Sequence, residues 1–116
     1  MLVTILKGAF VFAADLARAI PGPHAMDFLV LAGYGGSLGG RARIRLIKDL
    51  DLPITCRDVL LVEDIVDTGL TLNYLRRNLM ARGPASLEVC ALLTKPERRR
   101  VDLPIKYVGF EIPNRF

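Results

Sequence analysis

Residues 59–71 constrain the fold of this chain more than any other part of its sequence. Four consecutive apolar residues, 59–62, are followed by the acids Glu63 and Asp64. An apolar run that does not alternate with polar residues is typical of a central parallel strand that helices cover on both faces. We therefore predict a buried strand that ends abruptly at Glu63 and Asp64.

A helix is predicted shortly after this strand. Leu72, Leu75 and Leu79 recur at helical spacing, which gives residues 71–82 one apolar stripe for packing against a sheet. A Gly-Pro pair at 83–84 then ends the helical pattern.

The remaining elements complete the fold prediction. A second apolar run over residues 87–93 follows the helix, so residues 59–93 form one strand–helix–strand unit. Further strands are predicted at residues 2–6, 26–32, 43–47 and 105–110, and a first helix is predicted from Phe12 to Ile20. We expect one domain over residues 1–116, of the α/β class, with a largely parallel twisted sheet flanked by helices.

The composition excludes several classes of protein. Hydrophobic residues make up 52% of the 116 residues and charged residues 24%, which excludes a disordered tail or a collagen-like repeat. No stretch reaches the roughly 18 to 20 uncharged apolar residues of a membrane span, so we expect no membrane partner. Cys56 and Cys90 lie far apart, which favours a reducing cytoplasm over a disulfide framework. The formal net charge of +4 suits a polyanionic small molecule and RNA equally.

Residues 59–71 also carry the chemistry. Ligands of open α/β sheets bind beyond the carboxyl ends of the strands, so Glu63 and Asp64 are expected at a binding edge. Thr68-Gly69-Leu70-Thr71 enters the helix with free backbone N–H groups, a glycine and two hydroxyls, which is how a helix N-terminus holds a phosphate. The alternative is that Asp67 or Thr68 only caps the helix and that the two acids are solvated loop charges.

The same thirteen residues resemble the diphosphate-sugar signature of the type I phosphoribosyltransferases. Four further motifs extend the resemblance to the hypoxanthine–guanine phosphoribosyltransferases: Leu6-Lys7-Gly8, Lys48-Asp49-Leu50, residues 92–99 and residues 107–113. The resemblance implies a parallel sheet with a flexible loop and a small hood over the base. It also implies purine salvage: ribose 5-phosphate passes from phosphoribosyl diphosphate to hypoxanthine or guanine, with Mg²⁺ as cofactor, to give IMP or GMP and diphosphate.

The resemblance assigns roles to the signature residues. Glu63 and Asp64 would hold the ribose hydroxyls, directly or through Mg²⁺, because hard carboxylate oxygens suit both. Asp67 would lie near N7 of the purine as general base or hydrogen-bond acceptor. The 5′-phosphate would be held by Asp67, Thr68, Gly69, Leu70 and Thr71.

Residues outside the signature complete the implied site. Lys7 and Gly8 would line the diphosphate site. Lys95 would donate to the 6-oxo group, which implies 6-oxopurines rather than adenine, and Phe116 would stack on the base. Gly33 and Tyr34 begin the glycine-rich residues 33–40, which would close over the substrate as a flexible lid and exclude water.

The chain departs from the family pattern in its loop and at its ends. Residues 33–40 carry glycines where the family has hydroxyl side chains, and the family members are longer at both ends. The resemblance therefore implies an incomplete hood and impaired turnover, together with assembly into a dimer or tetramer. Preference among hypoxanthine, guanine and xanthine depends on contacts that follow Phe116 in the family.

A basic cluster, Arg98-Arg99-Arg100, keeps a second hypothesis open. Regulators that sense phosphoribosyl diphosphate, some of them RNA-binding, share the same signature. Charge runs are more often solvated faces, and no aromatic residues interleave this one. We therefore expect no nucleic-acid partner and retain the sensor only as the alternative to the enzyme.

Overall fold

The computed structural model describes residues 1–34 and 43–115, which form six strands and two helices. The strands are β1 (Leu2–Leu6), β2 (Met26–Tyr34), β3 (Arg43–Lys48), β4 (Asp58–Val66), β5 (Ser86–Thr94) and β6 (Tyr107–Glu111). The helices are α1 (Phe10–Ala19) and α2 (Leu70–Met80), and a short 3₁₀ turn covers Pro96–Arg98.

All six strands join one sheet in the order β3-β2-β1-β4-β5-β6. β3 pairs antiparallel with β2, and the other neighbouring strands pair parallel. The predicted α/β class with a largely parallel sheet is therefore confirmed.

Successive residues of the central strands point to opposite faces of the sheet, and both faces are buried, so these strands are apolar throughout. Leu61 belongs to the larger core cluster, with the α2 leucines that the sequence predicted to be buried. Its neighbour Val62 belongs to a second cluster with Ala13 of α1. Leu61 and Val62 are both fully buried, and burying such a side chain contributes about 1.5–3 kcal/mol. One helix therefore covers each face of the sheet.

The strand order places a topological switch between β1 and β4. From β1 the chain passes to β2 on one side, and it later returns to β4 on the other side. Open α/β sheets bind ligands in the crevice outside the carboxyl ends of strands at such a point. The residues that follow β1 and β4 are therefore the ones expected to bind a ligand.

Two predicted strand ends are wrong, both in the same direction. β4 does not stop at Glu63 and Asp64 but continues to Val66, because its partner β5 runs on to Thr94 and pairs with it. β2 does not end at residue 32 but continues through Gly33 and Tyr34, the predicted start of the lid, and both residues pair with β3.

Residues 35–40 of the predicted lid lie outside the described residues. The antiparallel pairing of β2 with β3 confirms the hairpin that the sequence predicted on either side of it. Neither helix in the described ranges has the length and apolarity that crossing a membrane requires.

Candidate active site

The crevice between β1 and β4 brings Gly8 against Asp64. The pairing of these strands ends at Thr4 and Val62, so Gly8 and Asp64 both follow the last paired residues. A Cβ atom at Gly8 would overlap Oδ2 of Asp64 and would lie 2.9 Å from its Cγ. The peptide bond between Leu6 and Lys7 is cis. Because a Cβ atom would overlap Asp64, residue 8 has to be a glycine for the loop to come this close. The predicted diphosphate loop thus lies beside a predicted ribose-binding acid.

Glu63 and Asp64 each accept a hydrogen bond from the backbone N–H of the residue that follows them. Oε1 of Glu63 accepts a hydrogen bond of 3.0 Å from the backbone N–H of Asp64, and Oδ1 of Asp64 accepts one of 2.7 Å from the backbone N–H of Ile65. Burial, together with hydrogen bonding and charge repulsion from the Asp64 carboxylate, raises the pKa of Glu63 to about 9. Glu63 is therefore protonated at neutral pH, which sequence reasoning missed.

The predicted phosphate cradle lies at the start of α2. Gly69 occupies the N-cap position in the left-handed conformation, with φ of 84°, and provides no side-chain cap. Oγ1 of Thr68 accepts a hydrogen bond of 3.3 Å from the Leu70 N–H. The first N–H groups of a helix have no intrahelical acceptor, and they adjoin a cavity of about 180 Å³ that residues 63–69 help to line. Thr68 thus caps the helix in part, as the alternative interpretation expected. Asp67 does not cap it but accepts a hydrogen bond from Arg98.

Residues 95–100, which we call the strap, run alongside the cradle. The N–H of Lys95 donates to the Val66 carbonyl at 2.9 Å, and the N–H of Arg100 donates to the Thr68 carbonyl, also at 2.9 Å. Between them, Nε of Arg98 donates to Oδ1 of Asp67 at 2.8 Å. The strap therefore contacts three consecutive residues: Val66 at the end of β4 and then Asp67 and Thr68 in the loop that leads into α2.

Arg99 adds a packing contact to the strap. A Cβ atom at Gly69 would lie 3.0 Å from Cδ of Arg99, and the Arg99 guanidinium donates to Oγ1 of Thr94. Sequence reasoning treated the three arginines as a solvated face or an RNA surface. Their only sequence signal was that Arg98 and Arg99 fall inside the resembling motif 92–99.

Only one of the two predicted purine-binding residues lies within the described residues. Lys95 follows β5 directly and is 2% exposed. Phe116 lies outside the described residues. Because β1, β2, β4 and β5 are parallel, Lys95 after β5 and Tyr34 at the end of β2 lie at the same edge of the sheet as Gly8 and Asp64.

The donor set at the crevice fits Mg²⁺ only in part. Within the described ranges, no group of three or more His, Cys, Asp or Glu side chains is arranged to hold a metal ion. Mg²⁺ is commonly bound through one or two carboxylates plus substrate phosphates. Glu63 and Asp64 meet that requirement once Glu63 has lost its proton.

Comparison with known proteins agrees with this geometry. The chain matches the family described as "Phosphoribosyl transferase domain" over residues 1–116. It is 53% identical over its whole length to the hypoxanthine-guanine phosphoribosyltransferase of Mycobacterium avium. It is 47% identical over its whole length to the hypoxanthine phosphoribosyltransferase of Salmonella typhimurium. The chain spans 57% of the first relative and 65% of the second.

A solved structure agrees in fold as well as in sequence. The crystal structure of a hypoxanthine-guanine phosphoribosyltransferase from Bacillus anthracis superimposes with a TM-score of 0.93 at 46% identity. The superposition covers 99% of this chain and 68% of that one. Sequence, sheet order and crevice geometry thus agree, and the chain belongs to the phosphoribosyltransferase family.

Proposed function

We propose that this chain carries the reaction site of a purine-salvage phosphoribosyltransferase. It transfers ribose 5-phosphate from phosphoribosyl diphosphate to hypoxanthine or guanine and releases diphosphate, in the cytoplasm. The observation that carries the proposal is the contact of Gly8 with Asp64 at the topological switch, with the cradle starting at Thr68, four residues further on.

The proposal gives the crevice acids the ribose and the cofactor. Asp64, beside Gly8, and Glu63 hold the ribose hydroxyls and Mg²⁺, while Lys7 and Gly8 line the diphosphate. When bound, Mg²⁺ neutralises negative charge on the diphosphate. Because Glu63 is protonated in the free protein, binding of the cation at Glu63 requires release of its proton.

The cradle holds the other end of the substrate. The N–H groups of the first turn of α2 and the hydroxyls of Thr68 and Thr71 bind the 5′-phosphate. Asp67 lies between the acids and the cradle in the chain and accepts the proton, or a hydrogen bond, from N7 of the purine. Lys95, which the strap backbone fixes to Val66, donates to the 6-oxo group.

The names of the relatives support the enzyme over the sensor. Both relatives compared above are named as phosphoribosyltransferases. The arginine cluster that suggested RNA binding instead contacts the cradle loop through Arg98, through Arg99 and through the backbone of Arg100. No observation favours the sensor.

Two measurements on the 116-residue chain test the proposal. Calorimetric titration with phosphoribosyl diphosphate is expected to give binding that strengthens with Mg²⁺. A spectrophotometric assay is expected to detect nucleotide formed from hypoxanthine or guanine and not from adenine. Absence of binding, or product from adenine at the rate found with 6-oxopurines, would contradict the proposal.

A further inference from the structure

The cavity at the cradle has an unfavourable charge for a phosphate. Besides the protonated Glu63, its lining includes the acids Asp64 and Asp67, and no basic residue among those that the structure describes around it. Asp67 stands immediately before the cradle residues. An ionised carboxylate a few ångströms from a phosphate dianion opposes its binding. The signature therefore needs a compensating cation from another part of the chain.

Arg98 provides such a cation. Its Nε donates to Oδ1 of Asp67 at 2.8 Å, across 31 residues of sequence. The side chains of Arg98 and Asp67 are 43% and 45% exposed. An ion pair this exposed contributes little to stability. The main effect of this ion pair is therefore to change the charge that the cradle presents to a ligand.

The strap holds Arg98 in place through backbone hydrogen bonds. Within the 3₁₀ turn, the Arg98 N–H donates to the Lys95 carbonyl at 3.1 Å. On either side of Arg98, the N–H groups of Lys95 and Arg100 are fixed to Val66 and Thr68. Because these contacts lie in the backbone, they survive substitution of the Arg98 side chain. The guanidinium can therefore be removed without detaching the strap.

We propose that Arg98 is a positioning residue of the phosphate cradle. It neutralises the Asp67 carboxylate and holds it by Oδ1, so that the cradle accepts the dianionic 5′-phosphate of a ribose 5-phosphate group. Arg98 acts through Asp67 and not by touching the substrate. The inference rests on the proposed function, since it assumes that the cradle binds this phosphate.

Titration with ribose 5-phosphate in the absence of Mg²⁺ tests the inference. This probe occupies the cradle without a purine, a diphosphate or a metal. The variants are Arg98→Ala, Arg98→Ala combined with Asp67→Asn, and the control Arg100→Ala. The control removes the same charge from the next arginine but one, whose side chain is exposed and whose N–H contact to Thr68 is retained.

We expect Arg98→Ala to weaken binding about five- to tenfold, with a smaller effect at high salt. Arg100→Ala is expected to stay within about twofold of the wild type. The double variant is expected to recover to within about twofold, because it carries neither the arginine nor the acid that the arginine neutralises. If the role of Arg98 were merely structural, adding Asp67→Asn would not restore the affinity for ribose 5-phosphate.

The possible failures are distinguishable. Wild-type protein that does not bind ribose 5-phosphate contradicts the proposed function and this inference with it. Wild-type binding with equal affinities for Arg98→Ala and Arg100→Ala contradicts the inference alone. A double variant as weak as Arg98→Ala, with thermal unfolding unchanged, shows that Arg98 does not act through Asp67.

Discussion

The proposed ribose-phosphate half and the proposed purine half of the site are assembled in different ways. The first consists of Gly8 and residues 63–71, where close contacts and backbone hydrogen bonds link each part to the next. The second includes Lys95 at the end of β5, whereas the following strand β6 is exposed throughout, with Phe110 65% exposed. The proposed phosphate recognition therefore depends mainly on one continuous segment, residues 63–71, with Gly8 packed against it, whereas the proposed base recognition depends on Lys95 and on residues that follow it in the chain.

The largest expected effect concerns Asp67, where the two halves meet. Asp67→Asn is expected to lower turnover about 10²- to 10⁴-fold, because a general base acts in the transition state. Affinity for phosphoribosyl diphosphate is expected to change little. Steady-state kinetics beside calorimetry measure both quantities, with Asp102→Asn as an exposed control. Unchanged turnover would remove Asp67 from the mechanism.

The second prediction concerns Gly8→Ala, which is expected to disturb only the proposed ribose-phosphate half of the site. Gly8→Ala places a methyl group on the Asp64 carboxylate, so the acid or the loop has to move. We expect affinity for phosphoribosyl diphosphate with Mg²⁺ to fall on the order of a hundredfold. The control is Gly22→Ala, where an added Cβ meets no atom within 4 Å, although its φ of 85° adds backbone strain. Equal affinity of Gly8→Ala and wild type would separate the Gly8 loop from the site.

A third change breaks the purine half alone. Lys95→Ala is expected to weaken IMP binding about ten- to a hundredfold, the effect of losing a charge-assisted hydrogen bond. Ribose 5-phosphate binding is expected to stay nearly unchanged, and it reports at the same time that the cradle is folded. Lys106→Ala removes an exposed lysine as control. If both ligands weaken equally, Lys95 is structural.

The smallest expected effect lies in stability and concerns Glu63. Its pKa of about 9 in the folded protein lies above its usual value of 4.5. The folded state therefore keeps a proton that the unfolded state releases, so this group favours folding least at high pH. Glu63→Gln is expected to leave stability unchanged below about pH 4.5 and to raise it by on the order of 1–2 kcal/mol at pH 7.

Denaturant unfolding across pH 4 to 9 measures this difference. Glu88→Gln, at an exposed position of β5, is the control. A Glu63→Gln variant whose stability relative to wild type is the same at every pH would show that Glu63 is not buried with a proton.

Local periodicity accounts for what the sequence predicted correctly. The alternation of Leu61 and Val62 and the leucine stripe of α2 depend on neighbouring residues alone, so the sheet class and the core could be predicted. The end of β4 could not, because its polar residues remain in the strand only through pairing with β5. The contact of Arg98 with Asp67 and the raised pKa of Glu63 depend likewise on tertiary neighbours.

In the proposed function, the acids at the crevice and the neighbouring cradle bind phosphoribosyl diphosphate as one site. Calorimetric titration with this ligand, with and without Mg²⁺, tests it most directly in wild type and in Glu63→Ala combined with Asp64→Ala. The control variant, Asp15→Ala with Glu88→Ala, removes two exposed acids. We expect Mg²⁺ to strengthen binding to the wild type and the control, and to have no effect on the crevice variant. Equal affinity and equal Mg²⁺ dependence in all three proteins would contradict the account.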